Sequence, residues 1–131
     1  MNPNPKAAMM HQADQLPPLL GEKPMQRLHR LIATEDDWDG QGAKALSATA
    51  LDTFCGFIRQ VRPDPDDLGL FLGFAGELIV SCHDHHGAQV DLVFGDQLVE
   101  YCSAQHEGTH AVDDPALLTL LRLTPYEIAN N

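Results

Sequence analysis

Glu77-Leu78-Ile79-Val80-Ser81-Cys82-His83-Asp84-His85-His86-Gly87-Ala88-Gln89-Val90-Asp91-Leu92-Val93-Phe94-Gly95-Asp96-Gln97-Leu98-Val99-Glu100-Tyr101-Cys102 is the stretch that decides the fold. It divides into three strand-like runs separated by two short turn-forming segments, the pattern of an antiparallel meander. The first run, Glu77 to Asp84, meets the second, Ala88 to Phe94, through His85-His86-Gly87. A three-residue loop ending in glycine suits a type I turn closed by a left-handed residue, and it sets Asp84 opposite Ala88. The second run turns through Gly95-Asp96, read as a two-residue loop with glycine first. That reading sets Phe94 opposite Gln97, Val90 opposite Tyr101 and Asp91 opposite Glu100.

This register makes one face coherent. Leu78, Val80 and Cys82 lie beside Val90, Leu92 and Phe94, which lie beside Val99 and Tyr101. Side chains alternate with period two, so a one-residue slip would turn the whole set into water. The other face then carries Ser81, His83, Gln89, Asp91, Glu100 and Cys102. Upstream, Leu68 to Phe74 reads as a further strand with Leu70, Leu72 and Phe74 on one side, joined to the meander by Ala75-Gly76.

Helical spacing dominates the N-terminal half. A helix is predicted from about Pro24 to Thr34, with Met25, Leu28, Leu31 and Ile32 on one stripe and Arg27 and Arg30 facing outward. Ser47 reads as the N-cap of a second helix reaching Arg62, with Leu51, Phe54, Cys55, Ile58 and Val61 at helical intervals and Pro63 as its stop. Between them lies Trp38-Asp39-Gly40-Gln41-Gly42-Ala43. The two glycines permit a tight turn, Asp39 can accept nearby backbone amides, and Trp38 is expected to cap a core edge. Trp38, Asp39, Gly40 and Gly42 are therefore taken as a structural motif, because Gly-x-Gly without a preceding strand is no phosphate-binding fingerprint. After Cys102 a polar loop rich in His and Gly is expected, then Asp114-Pro115 opens a C-terminal helix carrying Leu117, Leu118, Leu120 and Leu121, and Thr124-Pro125 begins a last turn. Residues 1–20, with Pro3, Pro5, Pro17 and Pro18 and no sustained period, read as a flexible arm. The expectation is one α+β domain over residues 21–131, with an antiparallel sheet of about four strands, two N-terminal helices and one C-terminal helix.

Charge separates the two halves. The formal net charge is −11. Residues 1–62 hold seven acids and seven bases, whereas from Pro63 onward twelve acids stand against Arg122 alone. Such a field repels nucleic acid and anionic membrane surfaces and attracts basic partners. The three cysteines, Cys55, Cys82 and Cys102, cannot all pair within one chain and sit in apolar or strand-like runs, which points to thiols in a reducing cytoplasm. No stretch reaches membrane-spanning length, and the N-terminus lacks the apolar core of a signal peptide.

The order helix, Trp38-Asp39-Gly40-Gln41-Gly42-Ala43, Ser47-opened helix, proline-rich crossing and β-meander resembles a group of small uncharacterised proteins of bacteria and their mobile elements. In that group a Trp-(Asp/Asn)-Gly-x-Gly-Ala motif precedes a helix and a short antiparallel sheet. The resemblance covers Pro24 to Cys102. It implies an accessory or regulatory protein of mobile DNA, in some members toxin-neutralising, and it implies no catalytic residues.

Three functional classes remain open. The first is a non-enzymatic protein binder, such as an antitoxin, immunity protein or phage-coded inhibitor, that offers carboxylates to the basic surface of a nucleic-acid-handling partner. Its expected contact residues are Asp91, Glu100 and His83 on the outer face and Asp64, Asp66 and Asp67 in the crossing. An acidic secretion-type chaperone, which would bind an extended apolar segment, is a variant of this class. The second is a metal protein using the His/Cys-rich region 82–110, which holds five of the seven histidines. Alternation sends Cys82 to the core face and His83 to the other, so no ligand set and no cofactor is assigned. The third is an enzyme using an Asp91–Glu100 pair. No nucleophile or phosphate loop accompanies that pair, and no catalytic residue is assigned.

Overall fold

The period-two runs form antiparallel strands, as their alternation demands. The computed structural model describes residues 5–16, 21–60, 67–83 and 87–117. Its sheet contains β1 (Gly69–Leu72), β2 (Leu78–His83), β3 (Gln89–Phe94), β4 (Leu98–Ser103) and β5 (Glu107–Ala111), side by side in chain order. Three α-helices are described, α1 (Pro5–Ala13), α2 (Glu22–Ala33) and α3 (Ala48–Gln60). The class is α+β.

Leu70, Leu78, Val80, Cys82, Val90, Leu92, Phe94, Val99 and Tyr101 are all buried on the inner face, in one cluster with Leu28, Ile32, Leu51, Phe54 and Ile58 of the helices. Phe94 is the centre of this cluster: Phe54 meets it edge-on with centroids 5.4 Å apart, and Phe57 lies 5.3 Å away at a tilt. Each fully buried side chain of this size contributes roughly 1.5–3 kcal/mol relative to exposure. The stripe Met25, Leu28, Leu31 and Ile32 of α2 is buried as its spacing predicts. Ser47 accepts the Ala50 amide at 3.4 Å, consistent with an N-cap of α3.

Pairing of β2 with β3 follows the expected register, from Leu78↔Phe94 to His83↔Gln89. Pairing of β3 with β4 does not: Phe94 faces Val99, Leu92 faces Tyr101 and Asp91 faces Cys102. Gly95 donates its N–H to Leu98 O, so the turn is centred on Asp96-Gln97 rather than on Gly95-Asp96. Moving a turn centre by one residue moves the register by two, which keeps every side chain on its expected face but replaces its cross-strand partner. The cause is tertiary. Thr53 Oγ1 of α3 accepts the Gln97 N–H at 2.8 Å, and Gln97 takes φ +62°.

Three further expectations are corrected. The His- and Gly-rich segment after Cys102 was expected to be a loop but contains β5, a short edge strand whose side chains are exposed or half-exposed and so lack the apolar alternation that marks a strand. The strand expected over Leu68 to Phe74, with Phe74 on the same side as Leu70 and Leu72, ends at Leu72, and Phe74 is 72 % exposed in the β1–β2 turn. Residues 5–16, expected within a flexible arm, contain α1, which buries Met9 and Ala13, and Leu16 just beyond it is buried as well. Lys6 anchors this helix by donating to Ile32 O at 2.9 Å and Thr34 O at 2.7 Å, carbonyls at the end of α2 that are otherwise without helical partners.

Residues 115–117 are helical and Leu117 is buried. The rest of the expected C-terminal helix, with Leu118, Leu120 and Leu121, lies outside the described residues, as do the Thr124-Pro125 turn, Val61 to Asp66 and the His85-His86 loop.

Candidate functional site

The inner face of the sheet is packed by helices, and its outer face is built by direct cross-strand neighbours. Phe71, Ile79, Val93, Glu100 and Thr109 form one row across all five strands. Gly69, Ser81, Asp91, Cys102 and Glu107 form the adjacent row. The face therefore changes character from edge to edge. Towards β1 it is apolar, with Phe71 47 % exposed and Ile79 and Val93 half-buried. Towards β5 it is acidic, with Leu98, 49 % exposed, on its flank.

Asp91 and Glu100 were expected to be direct partners and are not, because of the two-residue register shift. They instead bracket Cys102, together with Glu107. Asp91 and Glu107 are its neighbours on either side, and Glu100 lies two residues before it on the same face. The Cys102 thiol donates to Glu107 Oε1 at 3.7 Å. Partial desolvation raises the thiol pKa, and the negative charges of Glu107, Asp91 and Glu100 raise it further. Among the described residues the ion pairs are Lys6–Glu35, His29–Asp14, His83–Asp67 and His110–Asp114, so no cation neutralises these three acids.

His83 and Asp67, both expected to contact a partner, are bound to each other. Asp67 accepts the His83 backbone N–H at 2.8 Å through Oδ2 and approaches the imidazole Nδ1 through Oδ1. Asp64 and Asp66 lie outside the described residues.

The Trp38-Asp39-Gly40-Gln41-Gly42-Ala43 loop is a hydrogen-bonded knot. Asp39 Oδ1 accepts the amides of Gln41 at 2.8 Å and Ala43 at 3.1 Å, and the Gln41 amide does most to lower its pKa. Gly40 at φ +75° and Gly42 at φ +91° occupy left-handed conformations that glycine adopts without strain. Lys44 donates to Phe74 O and Ser47 donates to Gly76 O, which fastens the loop to the β1–β2 turn. A Cβ at Gly76 would lie 2.7 Å from Ala45 O, so glycine is needed for that approach.

Trp38 does not plug the core. It is 40 % exposed, lies parallel to Phe74 and donates its indole N–H to Lys44 O at 3.0 Å. Arg27, expected to face outward, reaches the sheet instead. Its Nε donates to Leu70 O at 2.9 Å and its guanidinium lies 5.8 Å from the Phe71 ring centre. Arg27, Leu31, Thr34, Trp38, Phe71 and Leu72 line a groove of about 340 Å³.

Among the described residues no group of three or more His, Cys, Asp or Glu side chains is placed to hold a metal ion. Cys82 lies on the buried inner face and Cys102 on the outer one. His110 is held through Nδ1 by Asp114 at 3.2 Å, and the His106 and His110 rings stack with centroids 6.2 Å apart.

Sequence reasoning found Asp91 and Glu100 but missed Phe71, Ile79, Val93, Leu98 and Glu107 on the same face. The available signal was the unbroken apolar triplets Leu78-Ile79-Val80 and Leu92-Val93-Phe94, which mark strands with apolar side chains on both faces.

No helix among the described residues is long and apolar enough to cross a membrane. Comparison with known proteins finds no matching family model, no matching curated protein and no matching solved structure.

Proposed function

We propose that this chain is a non-enzymatic protein-binding module, of antitoxin, immunity-protein or phage-inhibitor type, that presents the outer face of its sheet to a partner with a basic surface. The observation that carries this reading is the composition of that face: Phe71, Ile79, Val93 and Leu98 beside Asp91, Glu100 and Glu107, whose charges no described cation neutralises. Apolar side chains supply area that gains from being covered, and carboxylates at the margin select Lys and Arg and speed encounter. The resemblance to small mobile-element proteins agrees with a partner that handles nucleic acid and therefore carries such a surface.

Affinity capture from the native host followed by calorimetry on the recovered partner tests the reading. Leu98→Asp changes a position that is 49 % exposed and should leave the melting temperature near wild type, in which case loss of about 2 kcal/mol in binding would report on the interface itself. Affinity should also fall steeply between low and high salt. Unchanged binding by Leu98→Asp and by Asp91→Asn/Glu100→Gln would move the interface away from this face. Strong binding with little salt dependence would favour the chaperone variant, in which an extended apolar segment covers Phe71, Ile79 and Val93.

A further inference from the structure

The two edges of the sheet differ. At the β1 edge, Leu70 O is already occupied by Arg27 Nε. At the β5 edge, Ser103 donates to His106 O, which fixes the phase of the β4–β5 ladder. In an antiparallel ladder, alternate residues turn their backbone groups away from the neighbouring strand. His106, Gly108 and His110 therefore bond to β4, whereas Glu107 and Thr109 direct both N–H and C=O to the open side. No hydrogen bond from the described residues reaches the outward backbone groups of Glu107 and Thr109.

The side chains at these two positions lie on the outer face. Thr109 is paired with Glu100, and Glu107 with Cys102, whose other neighbour is Asp91. We propose that β5 is the acceptor edge for strand addition by a basic, extended segment of a partner protein. Each residue placed opposite Glu107 or Thr109 would project its side chain onto the outer face. A Lys or Arg opposite Glu107 would meet that carboxylate directly. Another opposite Thr109 would extend over the small threonine towards Glu100, roughly 10 Å away at two strand spacings. Backbone bonds would supply affinity and the alternating cations would supply selectivity, the division of labour of strand-addition complexes. The net charge of −11 disfavours a second copy of this chain as the occupant.

This proposal rests on the outer-face reading but is separable from it. The probe is a fluorescein-labelled peptide of about nine residues alternating lysine with valine, about the length of a long strand, with its glutamate-for-lysine counterpart as control. Anisotropy is measured on the whole protein. Thr109→Pro removes an outward N–H without touching the β4–β5 ladder, a position where edge strands tolerate proline. Thr109→Val keeps that N–H. The expected results are binding of the lysine peptide only, at least tenfold weaker binding by Thr109→Pro, retained binding by Thr109→Val, and slowed amide exchange at Glu107 and Thr109 in the complex. Glu107→Gln should weaken binding and reduce its salt dependence. Equal binding by Thr109→Pro and wild type, with loss by Leu98→Asp, would overturn strand addition and leave the face reading standing. No binding of the lysine peptide, or a concentration-dependent dimer by sedimentation that Thr109→Pro abolishes, would also overturn it.

Discussion

The Trp38 indole lies over the Phe74 ring with centroids 6.0 Å apart and planes 1° from parallel, although both side chains are exposed. A stacked aromatic pair contributes about 0.5–1.5 kcal/mol beyond burial, and the indole hydrogen bond to Lys44 O adds about 1 kcal/mol. Trp38→Ala should therefore cost about 1–2 kcal/mol in urea unfolding. Phe54→Ala, which empties a fully buried site, should cost about 3–5 kcal/mol. Equal costs would mean that Trp38 is a core residue after all. A double-mutant cycle with Phe74→Ala isolates the stacking contribution.

Asp39 ties the same loop together through the amides of Gln41 and Ala43, which hold its carboxyl below the ordinary value. A carboxylate whose folded-state pKa is depressed stabilises the fold above its unfolded value, and that contribution is lost as pH falls through the folded one. The amides of Gln41 and Ala43 should thus stay protected from exchange through mildly acidic pH and lose protection only below the ordinary aspartate range. In Asp39→Ala they should exchange fast at every pH. An NMR titration that places Asp39 at or above the usual aspartate value would contradict this account.

Which side chains face the core was legible, because the alternation of Leu78, Val80, Cys82, Val90, Leu92 and Phe94 leaves only one parity that buries them. Leu92→Asp should accordingly unfold the protein, while Asp91→Leu should leave it folded. Which residues sit opposite one another was legible only for the first hairpin. The second turn is fixed by Thr53, a residue far away in the sequence, and local turn preference gives no sign of such a bond. The same limit hid β5, which is recruited by pairing with β4 and not by apolar residues of its own. It hid α1 as well, whose buried positions include Ala13 and whose Lys6 anchors it to carbonyls at the end of α2. The candidate face was half legible for a related reason. Its acids stand out in a strand, but Ile79 and Val93 look like core.

The observed turn makes a prediction opposite in sign to that of the turn read from sequence. Gln97 holds φ +62°, a left-handed conformation that costs a side-chain-bearing residue roughly 1 kcal/mol or more. Gln97→Gly should relieve that strain and raise stability by about 0.5–1 kcal/mol. Were Gln97 an ordinary strand residue, as a turn on Gly95-Asp96 requires, the same change would destabilise by a similar amount. Thr53→Val, nearly isosteric at a buried site, should cost about 1 kcal/mol by removing the acceptor of the Gln97 amide. Thermal unfolding of the two variants reads both signs.

Cys102 provides a chemical gauge of the acidic cluster, because only the thiolate reacts with iodoacetamide. Its side chain is exposed, so access does not limit alkylation. Its pKa is raised by partial desolvation and by Glu107, with Asp91 and Glu100 adding to the same field. At mildly alkaline pH Cys102 should therefore alkylate more slowly than a cysteine in an unstructured peptide. Glu107→Gln should accelerate it, since the negative charge is removed and a neutral amide oxygen is left as a weaker acceptor for the thiol. Asp91→Asn should accelerate it less, being the weaker influence. Cys55 sets the other limit: burial pushes its thiol up to about 11, and it should react only when the protein unfolds. Mass spectrometry of timed digests resolves the two sites. A Cys102 rate equal to that of the free peptide, unmoved by Glu107→Gln, would mean that the three carboxylates do not converge on this strand, and the acidic half of the proposed interface would fall with them.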